Sequence, residues 1–289
     1  MLVDKPAGMT SHDVVQRVRR MLGTRAAGHT GTLDPFATGL LIVLVGRATR
    51  LARFVEVQPK TYLATARLGI RTDTDDLTGQ VIGTAQPTGM VSPSRLSDAL
   101  AGFSGTYLQR PPQYSAKHVA GERSHQKARR GEMVELADVS VTVHRIELIE
   151  YRPPDLTFRV EVSAGTYIRA MARDLGDLLE VGAHLTRLRR EAVGSLRVED
   201  AVTLDELTPA ALLPPADVLR DLPTVHLDEA ARQAVVHGRA VVDSGAGALW
   251  AGGRRGSGEE VALLASGELV AVARADGGWL RPAVVLETP

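Results

Sequence analysis

Gly28-His29-Thr30-Gly31-Thr32-Leu33-Asp34-Pro35-Phe36-Ala37-Thr38-Gly39 runs straight into Leu40-Leu41-Ile42-Val43-Leu44-Val45. The first twelve residues place three glycines, a proline and three threonines around one carboxylate, Asp34, and one imidazole, His29. This composition suits neither helix nor strand; it suits a rigid, irregular loop that aims a single carboxylate in a fixed direction. The apolar run that follows is long enough for a strand buried on both faces. A loop set against such a strand is a firm mount for a catalytic group. A bare Asp-Pro pair would pass for an ordinary turn, but the whole stretch is too specific for that.

Local signals extend outward from this centre. The opening residues Met1-Leu2-Val3-Asp4-Lys5-Pro6 suit a strand and a turn. Thr10 and Asp13 form a capping-box pattern ahead of Val14, Val15, Val18, Met21 and Leu22 at helical spacing. Arg17, Arg19, Arg20 and Arg25 cluster there, mostly off the apolar stripe; a solvated face and a binding face fit them equally. Tyr62, Ala64, Ala66 and Leu68 alternate with Leu63, Thr65 and Arg67, as in a half-buried strand. An acidic turn at 73–79 and a short strand at 81–85 follow. Ser92-Pro93 opens a helix expected to run to about Gly102. Val139, Val141 and Val143 alternate until the phase slips near His144-Arg145, which predicts a bulge. Phe158, Val160 and Val162 mark another strand. Ile168, Met171, Ala172, Leu175, Leu178 and Leu179 then form the buried stripe of a helix, with Gly182 as its stop.

The expected architecture is α+β around a mixed, largely antiparallel sheet, with a small mostly-β C-terminal domain. The expected divisions are a catalytic domain at 1–207, a proline-rich connector at 208–223 and a second domain at 224–289. Residues 110–131 form a polar insertion in the first domain. It carries Arg110, Lys117, Arg123, Lys127, Arg129 and Arg130 against a single Glu122. A connection of that length and charge is usually functional or disordered.

Composition narrows the chemistry. The sequence has 289 residues and no cysteine, which excludes disulfides, thiolate nucleophiles and cysteine-held zinc. Its eight histidines show no metal-ligand spacing, and no glycine-rich phosphate loop follows a strand. No metal and no cofactor are expected. No stretch approaches a membrane-spanning apolar run and no leader pattern opens the chain, so a cytoplasmic protein without membrane contact is expected, and a monomer. The net charge of zero conceals an asymmetry: 27 basic and 20 acidic residues over 1–198, against 7 and 14 over 199–289. A basic larger part beside an acidic tail suits a nucleic-acid partner.

The ordered motifs carry a resemblance. Val3-Asp4-Lys5-Pro6-Ala7-Gly8-Met9-Thr10-Ser11, the twelve residues 28–39, and Lys60-Thr61-Tyr62 come first. Arg67-Leu68-Gly69 with the 72–76 stretch, Pro111-Pro112-Gln113-Tyr114-Ser115-Ala116, Gly165-Thr166-Tyr167-Ile168-Arg169 and Gly182-Ala183-His184-Leu185 through Leu188-Arg189-Arg190 complete the series. Together they resemble the bacterial tRNA pseudouridine synthases of the TruB family, which modify uridine 55 in the T loop. The resemblance implies a pseudouridine synthase catalytic domain followed by a PUA-like C-terminal domain, and tRNA as partner.

It also implies roles. Asp34 becomes the essential aspartate, placed to stabilise or bond to the positive sugar carbon as the glycosidic bond breaks. Tyr62 becomes the aromatic that holds the displaced base, with a phenol able to move a proton; by pattern alone it is a half-buried strand residue. Arg169 would pair with Asp34, orient it and keep it ionised; by pattern alone it is a surface arginine. Tyr167 and Leu188 would line the pocket, although Leu188 by pattern is plain core. His29 would wedge into the RNA loop and replace stacking lost when the base flips; alone, it is a satisfied loop histidine. The insertion at 110–131 would grip RNA. Asp73 and Asp76 are expected to order their loop or fix an arginine. His118 and His125 stand where the family usually has lysine and tyrosine, which predicts a pH-sensitive grip. Two rivals remain at this point. One is a hydrolase of the same bond, for which a second carboxylate would be usual. The other is a noncatalytic RNA-binding factor.

Overall fold

The apolar run after Gly39 forms a strand covered on both faces, with Leu40, Leu41, Ile42 and Val43 fully buried. The computed structural model describes residues 1–85, 91–114, 118–119, 122–123, 136–243 and 256–287. The chain begins with β1 (Leu2–Lys5), α1 (Ser11–Leu22), β2 (Ala27–Thr30), β3 (Thr38–Val45), a 3-10 turn (Gly46–Leu51) and α2 (Ala52–Glu56). There follow β4 (Lys60–Leu68), β5 (Ile70–Thr72), β6 (Val81–Thr84), α3 (Pro93–Ala101), β7 (Gly105–Gln109), β8 (His118–Val119) and β9 (Glu122–Arg123). Next come β10 (Val139–Arg152), β11 (Asp155–Val162), α4 (Ile168–Leu178), β12 (Ala183–Val193), β13 (Leu196–Arg197) and α5 (Pro215–Val218). The C-terminal part comprises β14 (Thr224–His226), α6 (Glu229–Val236), β15 (Val241–Val242), β16 (Glu260–Ala265), β17 (Glu268–Asp276) and β18 (Trp279–Val285).

The large sheet runs β1-β3-β12-β4-β11-β10-β7, with β2 added to β3 and β13 to β12. Among the described strand pairs of this sheet only β3–β12 is parallel, so the sheet is mixed and largely antiparallel. Along β4, Tyr62, Ala64, Ala66 and Leu68 are buried while the alternate residues are half-exposed, which is the expected two-residue period. The register slips between Val143 and Arg145 of β10, where the sequence phase also slips. At the start of α1, Thr10 Oγ1 accepts from Asp13 N, and the Asp13 carboxylate accepts from Thr10 N, completing the capping box. Ser92 likewise caps α3, which has Pro93 in its first turn.

A second, five-stranded sheet, β14-β16-β17-β18-β15, forms the small C-terminal β unit. It shares a core with the first. Leu40, Ile42, Leu44, Leu51 and Phe54 pack in one cluster with Val218, Leu219, Ala262, Val272 and Val284. Arg47 Nη1 and Arg50 Nη1 donate to the carbonyls of Leu286 and Val285 across the same seam (3.1 and 2.6 Å). Among the described residues, no helix is long and apolar enough to cross a membrane.

Three expectations need correction. Residues 28–30 are not irregular: Gly28, His29 and Thr30 pair with Leu44, Val43 and Ile42, so β3 extends its hydrogen-bonding to them and only Gly31–Ala37 lacks strand or helix geometry. Helix α4 ends at Leu178, before Gly182, because Glu180 already takes a positive φ of 63°. Leu178 is exposed and does not share the stripe completed by Leu175 and Leu179.

Candidate active site

The loop between β2 and β3 is fixed from several sides. Ser11 Oγ accepts from Leu33 N (2.9 Å) and donates to Leu33 O (3.2 Å), joining the start of α1 to the loop. Lys5 is fully buried at the end of β1. Its Nζ donates to the carbonyls of Pro6 (2.9 Å), Met9 (2.8 Å) and Pro35 (3.4 Å). Burial pushes the Lys5 ammonium down to about 8, with Asp34 pulling the other way. Arg190 on β12, also buried, donates to Leu40 O (2.7 Å) and Gly31 O (3.0 Å). Gly39 takes φ +102°, and a Cβ there would lie 2.3 Å from the Arg190 carbonyl, so only glycine lets the strand start this close.

The structure brings Asp34 and Arg169 together. Arg169 Nε lies 2.9 Å from Asp34 Oδ2 and Nη2 donates to Oδ1 at 3.2 Å, a two-pronged pairing. The arginine side chain is 7% exposed and the aspartate 32%, so the carboxylate is backed by the guanidinium yet still reachable from outside. Arg169 has further bonds that fix its plane. Nη1 donates to Thr74 O (3.0 Å) and lies 3.4 Å from Asp76 Oδ2, while Nη2 donates to Tyr114 O (2.9 Å). Asp76 in turn takes bonds from Thr74 Oγ1, Thr78 N and Thr78 Oγ1 (2.8, 2.9 and 2.6 Å). Desolvation raises the Asp34 carboxyl above the ordinary range; Arg169 opposes that rise and Asp76 adds to it.

One turn along α4, Arg173 repeats the pattern. It pairs with Asp75 (2.9 Å) and with Asp174 (2.8 Å), and Nη2 donates to Arg110 O (2.8 Å). Burial lifts Asp75 to about 6 against the pull of Arg173. The acidic turn therefore holds α4 in place: Asp76 takes Arg169, Asp75 takes Arg173, and Asp73 accepts from Gln80 N (2.7 Å) to close the turn itself.

Tyr62 on β4 and Leu188 on β12 are buried in one apolar cluster with Ala37 and with Leu33 and Ile168, the sequence neighbours of Asp34 and Arg169; half-buried Phe36 packs on it. Tyr167 precedes α4 and is half-buried; its N donates to Gln109 Oε1 (2.9 Å) and its carbonyl accepts from Gln109 Nε2 (3.1 Å). His29 sits half-buried on β2 opposite Val43, and its Nδ1 is buried without a partner among the described residues. Burial first, then Arg190 and His12, lower its pKa and favour the neutral ring. No hydrogen bond or ion pair among the described residues joins His29 to Asp34 or Arg169. Arg110 is exposed and 3.7 Å from Asp138. Lys117, Lys127, Arg129, Arg130 and His125 lie outside the described residues; Arg123 and His118 are described only as paired backbone in the β8–β9 hairpin.

Lys5, Gln109 and Arg190 help to build the site without a signal in the sequence. Nothing in periodicity marks them, because each acts by donating to, or bridging, backbone groups distant in the chain. A lysine closing a predicted strand, or a glutamine closing another, carries no signal of its partners. A separate cavity of about 680 Å³ lies at the seam between the two sheets, lined by Arg47, Ala48, Arg232, Leu269 and Leu286 among others. It includes none of the residues around Asp34.

A carboxylate paired to a buried arginine beside an apolar wall can stabilise positive charge at a sugar carbon and hold a flat, uncharged base. Residues 19–168 match the family model of the TruB family pseudouridylate synthase N-terminal domain, and residues 169–222 match that of the tRNA pseudouridylate synthase B C-terminal domain. Named relatives include the tRNA pseudouridine synthase B of Thermobifida fusca (strain YX), 43% identical over 99% of this chain and 97% of the relative. That of Aquifex aeolicus (strain VF5) is 41% identical over 84% and 86%. Among solved structures, an H/ACA ribonucleoprotein bound to a substrate RNA containing 2′-deoxyuridine contains a similar chain. The TM-score is 0.76 and the identity 28%, over 99% of this chain and 84% of that one. A chain of a Cbf5–Nop10–Gar1 complex gives 0.77 and 29%, with the same coverage.

Proposed function

The chain belongs to the TruB family of pseudouridylate synthases, and we propose that it converts uridine 55 in the T loop of tRNA to pseudouridine. The observation that carries the reading is the reachable Asp34 carboxylate held two-pronged by buried Arg169.

In this mechanism the target uridine leaves the loop stack and enters beside Asp34. His29, half-buried on β2, takes the place of stacking lost in the RNA, a loss of a few kcal/mol. As the bond from C1′ to N1 breaks, positive character grows at the sugar carbon, and the Asp34 carboxylate faces it or bonds to it. Arg169 keeps that carboxylate aimed. Tyr62 stacks on the detached uracil, and Tyr167 and Leu188 complete the wall that stops it escaping while it turns. C5 of the ring then bonds to C1′, the C5 proton leaves to a base and N1 takes up a proton, a transfer in which the Tyr62 phenol can take part. No atom is added or lost overall, so the reaction needs no cofactor. The basic insertion, with Arg110, Lys117, Arg123, Lys127, Arg129 and Arg130, grips the hairpin from outside.

The test is Asp34→Asn. The purified variant should bind tRNA and form no pseudouridine. Detectable pseudouridine from it would refute the assignment, and free uracil among the wild-type products would point to a hydrolase instead.

A further inference from the structure

We infer that the outer face of α1, continued by Arg25, is the ridge along which the stem of the RNA hairpin lies, with Arg20 and Arg25 contacting its phosphates. This rests on the reading of the substrate as a tRNA stem-loop whose loop reaches Asp34. A hairpin whose loop occupies that site must send its stem outward across the protein surface.

Helix α1 starts at the site. Ser11 is bonded to Leu33 on both its N–H and its carbonyl, next to Asp34. His12, exposed at the same end, is close enough to His29 to disfavour its protonation. From there His12, Gln16 and Arg20 follow at four-residue spacing on one side of the helix, and Gln16 Nε2 contacts His12 Nε2 at 2.9 Å. Eight residues of helix span about 12 Å, the reach of a few base pairs. The helix end is tied to β2, the strand carrying His29, because Arg19 turns inward and donates to Ala27 O (2.7 Å).

The charges on this face are unbalanced. Asp13 is engaged by Thr10 in the capping box, and Arg17 lies 3.5 Å from Asp205. Arg20 and Arg25 are exposed, and neither side chain has a hydrogen-bond or ion-pair partner among the described residues. A basic residue in the last turn offsets the helix dipole, which by itself would account for Arg20. It does not account for Arg25, which lies beyond the C-cap at Gly23. An array of donors leading away from the site, with its acids already engaged, fits a polyanionic strand better than an idle solvated face.

The experiment compares wild type with the double variant Arg20→Gln/Arg25→Gln, using full-length tRNA and a hairpin with its stem cut to two base pairs, at 50–200 mM salt. The expected result for full-length tRNA is an affinity about tenfold weaker at the low-salt end. Its salt dependence (log K against log salt) should be shallower by about one to two, close to 0.7–0.9 per lost phosphate contact. The short hairpin should lose much less. An unchanged slope with full-length tRNA would overturn the inference, and so would an equal loss with the short hairpin. Far-UV circular dichroism and the thermal midpoint confirm folding, and Arg25→Gln alone, outside the helix, repeats the test if the double variant is unstable. Absence of pseudouridine from wild-type reactions would instead sink the proposed function, leaving the binding comparison readable.

Discussion

Asp34 is a carboxylate under opposed pressures. Desolvation raises its pKa, while the paired guanidinium pulls it down. The proposed mechanism needs the charged form, so under it activity should be present above the pKa in the folded protein and lost as the pH falls through it. The single-turnover rate with saturating tRNA is therefore expected to fall on acidification with a midpoint above the ordinary carboxylate value of 3.8. Because Arg169 opposes the rise, Arg169→Gln should move that midpoint further up. A midpoint at or below 3.8 would contradict the burial argument. At the same scale, Gly39→Ala puts a Cβ 2.3 Å from the Arg190 carbonyl at a positive φ. A loss of about 3 kcal/mol or more in urea unfolding is expected. A loss under 1 kcal/mol would mean that the strand relaxes away from β12.

At the scale of elements, α4 is the part on which the site depends. It carries Arg169 and Arg173 one turn apart, and the turn at 73–79 supplies an aspartate to each. A lysine at 169 keeps the charge but cannot bond Asp34 on two atoms while also reaching Thr74 and Tyr114. Arg169→Lys is accordingly expected to lower the rate by about 100-fold or more, with tRNA affinity within a few-fold of wild type. Equal loss in both would make Arg169 a binding residue.

Legibility in the sequence divides at this scale too. The capping box of α1, the Ser92 cap of α3, the period of β4 and the bulge in β10 are legible because their causes are local. The motifs gave Asp34 and Arg169 as partners only through the family resemblance, since 135 positions separate them in the chain. Strand β2 reads as loop because glycine and threonine look like loop material; pairing with the very apolar β3 overrides that preference. The burial of Lys5 and Arg190 was not legible, because their partners are backbone carbonyls, which every residue possesses.

For the whole molecule, the two sheets are not independent. One side of β3 contributes Leu40, Ile42 and Leu44 to a cluster completed by Val218, Leu219, Ala262, Val272 and Val284. Unfolding should therefore be a single cooperative event. Both tryptophans, Trp250 and Trp279, belong to the C-terminal part, so their fluorescence reports on that part while far-UV circular dichroism reports on the whole. The two urea curves are expected to share one midpoint. Separated midpoints would show that the seam is too weak to couple the sheets.

The seam also limits how the tail can be exchanged. A hybrid that borrows residues 208–289 from a relative would bring a foreign wall to the back of the very strand whose start fixes Gly39 and the loop before it. Such a graft should recover catalysis only when the facing side chains, Leu40, Ile42, Leu51 and Phe54, travel with it. Sequence drift on one side of that joint then has to be answered on the other, even where neither side touches RNA.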